Sequence, residues 1–137
     1  MTMTIQYVPN QYVAQIWPQV EEHIESAIEY GHGDYTLDQV RLLVSMGHWL
    51  LLIAVDEEKK ICGAATVSFN NYPNDRIAFI TYMGGKLITG DSAFEQMCAI
   101  LKSNGATKIQ GAVRPVAARL FKRYGFNERG TLVETKI

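Results

Sequence analysis

The sequence predicts an α/β fold with a mixed central sheet flanked by helices, in the order β-α-α-β-β-β-α-β-α-β. Apolar residues alternate or run unbroken over stretches of strand length, and elsewhere they recur at three- and four-residue steps over helical lengths. The two patterns interleave in the C-terminal half as strand, helix, strand, helix, strand. A helix between the strands at 76–83 and 108–113 requires a crossover, so those two strands lie parallel. The 137 residues suit a single domain, 1–137, with one core.

Residues 3–8 alternate well enough for a first strand, and Pro9-Asn10 interrupts it. Ile16, Trp17, Val20, Ile24, Ala27 and Ile28 then share one helical face. Pro18 suits a first turn, where its missing N–H costs nothing, so the helix is expected to start near Trp17 and to end at Gly31-His32-Gly33. Thr36 and Gln39 have the spacing of a capping box, and Leu37, Val40, Leu43 and Val44 form the apolar stripe behind it.

The run 49–55 is apolar on both faces, which suits an interior strand. A charged turn at 56–60, a strand at 61–69, a polar turn at 70–75 and a strand at 76–83 extend it into an antiparallel meander. Ser92 and Glu95 again have capping-box spacing. They precede Phe94, Met97, Cys98 and Leu101, one face of a helix closing at Gly105. A strand follows at 108–113. Pro115 opens a helix carrying Val116, Leu120, Phe121 and Tyr124 to Gly125, and 131–137 read as a closing strand.

Composition narrows the function. Hydrophobic residues are 47% and charged residues 20%, an ordinary globular balance, and the formal charge of −1 lacks the positive excess of a duplex-binding domain. The longest apolar run has seven residues, against roughly 20 for a membrane span. The opening Met-Thr-Met-Thr-Ile-Gln has no basic, then apolar, leader pattern, so a cytoplasmic location is expected. Cys62 and Cys98 sit in apolar segments and read as buried free thiols. The three histidines form no ligand spacing for a metal, and no nucleophile elbow is present.

Two stretches hold candidate chemistry. Residues 84–92 carry three glycines and Lys86 directly before a helix N-terminus, whose free N–H groups and dipole favour a phosphate. Asp91 would repel that phosphate if it faced the same site, and a plain glycine-rich connection is the alternative reading. Arg114 stands between a strand and a helix, where it either pairs with an acid or binds an anion. Lys122 and Arg123 suit the helix C-terminus, and Tyr124 lies on the apolar stripe. For a general base, Glu134 is one candidate, while Glu95 is expected to be engaged in its cap.

The element order and the segment Arg114-Pro-Val-Ala117-Ala-Arg-Leu-Phe121-Lys-Arg-Tyr124-Gly125-Phe126 resemble the GCN5-related N-acetyltransferase (GNAT) superfamily. Ala117, Gly125 and Phe126 match the family's late signature. Arg114 stands for its asparagine, and Phe121 for the tyrosine that commonly protonates the leaving thiolate. The cofactor loop keeps its place but reads Lys86, three residues, Gly90, then Ser92.

The resemblance implies an acyl-CoA-dependent N-acetyltransferase taking acetyl-CoA and a small-molecule or protein amine. It also implies that the fourth and fifth strands splay to admit the pantetheine arm. Met83, Gly84, Gly85, Lys86, Gly90, Asp91, Ser92, Arg114 and Phe121 would line the cofactor, with Thr81, Tyr82 and Tyr124 as catalytic candidates. The chain also looks like divergent GNAT-like proteins of tailed bacteriophages, through Gly84-Gly85-Lys86, the N-terminal helix pair and the basic 114–123 helix. That leaves a second reading, a non-catalytic interaction protein, whose partners would be a second copy or phage structural proteins.

Overall fold

Short polar turns and one unbroken apolar run set the sheet. In the computed structural model, which describes residues 3–137, β1 (Thr4–Val8), β2 (Leu50–Val55), β3 (Ile61–Asn71), β4 (Arg76–Gly85) and β5 (Lys108–Gly111) lie side by side in that order. The first four pair antiparallel and β5 joins β4 in parallel, as the crossover requires. The Asp56 carboxylate closes the β2–β3 turn by accepting from the backbone N–H groups of Glu58 and Lys60, both at 2.9 Å.

β2 is interior, and its alternating side chains feed two layers. Leu51, Ile53 and Val55 meet α1 (Val13–Glu29) and α2 (Leu37–Ser45) through Val13, Trp17, Val20, Ile24, Val40 and Val44. Leu52 and Ala54 meet α3 (Asp91–Ser103) through Ala93, Met97 and Leu101. Each such aliphatic side chain contributes about 1.5–3 kcal/mol on full burial. Gln96 ties α3 to the edge of the sheet: its Nε2 donates to the Met3 carbonyl at 3.1 Å and its Oε1 accepts from Ile5 N–H at 2.9 Å. α4 (Pro115–Lys122) follows β5 with Pro115 in its first turn and buries no side chain fully.

The capping box at α2 forms on both sides, Gln39 N–H to Thr36 Oγ1 at 3.2 Å and Thr36 N–H to Gln39 Oε1 at 2.8 Å. Four expectations need correction. α1 begins at Val13 rather than near Trp17, led in by a 3-10 turn at Asn10–Tyr12, because Val13 is itself core. Pro18 is therefore inside the helix on its exposed side, where the Ala14 carbonyl that loses its partner faces water. α3 is capped at Gly90 with no side-chain cap. Ser92 and Glu95 are helical and exposed, and Ser92 accepts from Gln96 Nε2 instead. Residues 131–137 form no strand and are exposed throughout. Both cysteines are half-buried rather than buried. Met1 and Thr2 of the opening stretch lie outside the described residues.

Candidate functional site

The parallel pair β4–β5 is short-lived. Its last rung joins Ile80 to Gly111, while β4 continues to Gly85. From Thr81 to Gly85 the β5-facing edge of β4 has no ladder partner, so its backbone polar groups are left without a strand to bond on that side. Just there β4 carries a bulge: Thr66 pairs with Tyr82 and Val67 with Ile80, leaving Thr81 as the extra residue. Thr81 Oγ1 donates to the Thr66 carbonyl at 2.9 Å and lies 2.6 Å from Thr66 Oγ1. The bulge fixes the faces that follow, sending Tyr82 into the α1–α2 layer and Met83 into the α3 layer.

Each layer contributes one wall. On the α1–α2 side Tyr82 packs edge-on to Tyr35 at 6.4 Å between centroids, and Tyr35 packs edge-on to Trp49 at 4.8 Å. Arg114 reaches this side from the N-cap of α4: its guanidinium carbon is 4.4 Å from the Tyr30 ring centroid. Arg114 is thus occupied by an aromatic face rather than by a carboxylate. Burial pushes the Tyr82 phenol up, and the charges of Asp34 and Tyr35 add to the effect.

On the α3 side Met83 adjoins a second aromatic group. Tyr124 stacks on Phe94 at 4.8 Å and 27°, Phe126 meets Phe94 at 5.9 Å, and Phe121 meets Phe126 at 5.1 Å. Tyr124 packs as its place on the apolar stripe predicts, and its hydroxyl has no hydrogen-bond partner among the described residues. Phe121 has neither donor nor acceptor to offer.

The loop divides between two roles. Gly84 and Gly85 belong to β4, and close packing demands them. A Cβ on Gly84 would run into the His23 carbonyl of α1. One on Gly85, at φ +69°, would come within 2.5 Å of the Cys62 carbonyl. Their missing side chains thus admit the protein's own backbone, contrary to a phosphate cradle at these two positions. Past them, Lys86 N–H donates to the Cys62 carbonyl at 2.9 Å while its side chain is exposed, and Leu87 is buried as the loop's anchor. Gly90 has open space around it, and Asp91 and Ser92 are exposed in the first turn of α3.

Thr81, Tyr82 and Met83 share the stretch of β4 that β5 leaves unpaired. Arg114 caps α4 against Tyr30, and Tyr124 packs on Phe94. Lys86 and Gly90 lie on the connection to α3, and Asp91 and Ser92 are in that helix's first turn. Sequence reasoning singled out neither Tyr30, the C-cap of α1, nor Tyr35, which precedes the Thr36 cap of α2, and neither carries a periodic signal. Glu134 is exposed on the unpaired tail, and Asp75 is held by Lys108 at 3.0 Å. Among the described residues, no group of three or more His, Cys, Asp or Glu converges as for a metal ion, and no helix is long and apolar enough to cross a membrane.

No family model matches the chain, and no curated protein matches it in sequence. Solved structures do match it in shape. An aminoglycoside acetyltransferase from an uncultured soil metagenomic sample, in complex with sisomicin, aligns at 14% identity and TM-score 0.70 over 98% of this chain and 96% of that one. Aminoglycoside N-acetyltransferase AAC(6')-Iy, in complex with CoA, aligns at 14% identity and TM-score 0.69 over 99% and 95%. A predicted acetyltransferase from Clostridium acetobutylicum, with acetyl-CoA, aligns at 16% identity and TM-score 0.63 over 98% and 96%.

Proposed function

We propose that this chain, whose fold is that of the GCN5-related N-acetyltransferases, transfers an acetyl group from acetyl-CoA to an amine on a small molecule or protein. The observation that carries this reading is the end of the β4–β5 ladder at the Ile80–Gly111 rung, past which β4 runs on paired to β3 alone, with aromatic groups in both helical layers. CoA is recognised through amides and phosphates, and the chain offers matching groups in sequence. The free edge from Thr81 to Gly85 suits the amides. Exposed Lys86, open Gly90 and the α3 N–H groups that no side chain caps suit the phosphates. Bound acetyl-CoA would supply an acetyl group activated as a thioester.

The residues present do the rest. The backbone of Thr81–Met83 orients and polarises the acetyl carbonyl. Thr81 holds the bulge, its hydroxyl spent on Thr66. The acceptor is assigned to the wall of Tyr35 and Tyr82, since aromatic rings with the Asp34 carboxylate suit a cationic amine, whereas the Tyr30 face is taken by Arg114. Asp34 is the carboxylate on hand to draw the proton from that amine. Tyr82, kept protonated, is the phenol donor on β4 itself, and Tyr124, stacked on Phe94 of α3, is the second phenol.

Calorimetric titration with acetyl-CoA tests this reading. Binding is expected, with Lys86→Ala weakening it about tenfold, or ~1.4 kcal/mol, and Gly90→Asp weakening it further. Absence of binding at near-millimolar acetyl-CoA would sink the proposal. The second reading, a non-catalytic interaction protein, is favoured by Phe121 and by the uncovered apolar face of α4, with Val116 and Leu120 exposed. A phage particle as its setting rests on the sequence resemblance alone. Binding with no thiol release across a panel of amines would favour this second reading.

A further inference from the structure

Tyr35 serves two surfaces at once. Its ring packs edge-on to Tyr82, and with Asp34, Gln39, Leu42 and Leu43 it lines a cavity of about 300 Å³ beside α2. That volume stands at the lower end of small-molecule sites, about 300–1,000 Å³. Asp34 also reaches Tyr82, since its charge adds to what raises the phenol. The cavity thus shares Asp34 and Tyr35 with the wall assigned to the acceptor. Leu43 packs against the α1–α2 core, whereas Leu42 is 58% exposed and is not buried by the fold.

The lining has room for one positive charge. Asp34 is its single charged group. Gln39 has its Oε1 engaged by Thr36 N–H at 2.8 Å, which leaves its NH2 to meet a ligand, a donor that does not suit a second ammonium. The α1 glutamates Glu21, Glu22, Glu25 and Glu29 line a separate depression and supply no carboxylate here. A second cation in the cavity would meet Leu42 and Leu43, losing water with no opposite charge in return. An aliphatic or aromatic body would cover the same two leucines and gain from leaving water.

We propose that the acceptor is a small primary amine with a single positive charge and an apolar body, its ammonium at Asp34 and its body against Tyr35, Leu42 and Leu43. The assignment rests on the acetyl-transfer reading of the same site. In the step it implies, the amine gives one proton through Asp34 to solvent, and its lone pair forms the C–N bond as the C–S bond of the thioester breaks. The nitrogen's second proton goes to the departing sulfur, so the products are an N-acetyl amide and a free thiol.

Hexylamine and 1,5-diaminopentane test this, because they match in length and differ in one ammonium. Thiol release from acetyl-CoA is followed with each amine and with a lysine-containing peptide. Hexylamine is expected to exceed both in kcat/KM by at least about tenfold, the cost of a second cation left unpaired. Leu42→Asp places a carboxylate where the second ammonium would sit. It should raise KM for hexylamine, lower KM for the diamine and so reverse the preference, with far-UV circular dichroism unchanged. A wild type that prefers the diamine or the peptide, or a folded Leu42→Asp chain with an unmoved ratio, would overturn the assignment and leave acetyl transfer standing. No transfer to any of the three would overturn both.

Discussion

Thr81 and Thr66 share a hydroxyl pair across the β3–β4 bulge, with Oγ1 atoms 2.6 Å apart and Thr81 donating onward to the Thr66 carbonyl at 2.9 Å. Since the Thr81 proton is committed to that carbonyl, Thr66 is the donor of the shorter bond. Thr66 is fully buried, so its hydroxyl has no water to fall back on. Thr81→Val keeps the shape and removes both bonds, and is expected to destabilise by about 1–3 kcal/mol. Thr81→Ser should lose less, because it keeps the hydroxyl. Urea denaturation of the two variants checks the order, and equal stability in Thr81→Val and wild type would contradict it.

Gly84 and Gly90 should respond oppositely to an added side chain. Gly84→Ala sets a Cβ against the His23 carbonyl, backbone against backbone, where neither side can rotate away. It is expected to cost several kcal/mol, in the range of severe overpacking, or to prevent folding. Gly90→Ser meets open space and caps α3, where Ser is a few tenths of a kcal/mol better than Gly. Melting temperatures of the pair decide it: a stable Gly84→Ala would mean α1 does not pack on β4 as described.

Most of the fold was legible because periodicity reports burial, and burial decides these elements. The two-sided apolar run at 49–55 gave the interior strand, and Thr36 with Gln39 gave the start of α2, since both are local signals. Pro18 misled because a proline on a solvent face is tolerated once Val13 and Trp17 are both buried. Ser92 and Glu95 misled because the capping spacing recurs inside any helix that carries Ser and Glu. The site was less legible. Glycine at 84 and 85 signals close approach, and the sequence does not say whether the approaching atoms belong to a ligand or to His23. The tail at 131–137 has the alternation of a strand and forms none, because no strand of the sheet pairs with it.

Asp75 links the start of β4 to β5. Its carboxylate takes Lys108 at 3.0 Å and the Thr107 hydroxyl at 2.9 Å, and these partners hold it below the usual aspartate range, the Lys108 bond first. A carboxylate with a depressed pKa stabilises the fold above its unfolded value, about 3.9, and loses that contribution as pH falls through the folded value. Asp75→Asn should therefore be less stable than wild type at pH 7, with the difference shrinking as pH falls below about 4. Urea melts at pH 7 and pH 3 test the sign. A gap that widens on acidification would rule out this account.

Tyr82 shows the opposite behaviour from the alkaline side. Burial raises its phenol, with Asp34 and Tyr35 adding to it, so the folded protein holds this proton more tightly than the unfolded chain does. Stability from this group is present below the unfolded tyrosine value, about 10, and is lost as pH rises past it. Tyr82→Phe should remove that alkaline loss, seen as a flatter stability profile between about pH 9 and 11. The same substitution separates packing from chemistry. Phe keeps the ring against Tyr35, so fold and acetyl-CoA affinity should hold. If the phenol donates a proton during transfer, the rate should fall by about 10²-fold, the lower end for a positioned acid. A rate within about twofold of wild type, with the flattened alkaline profile intact, would reduce Tyr82 to a wall of the proposed acceptor site and leave Tyr124 as the remaining donor to test.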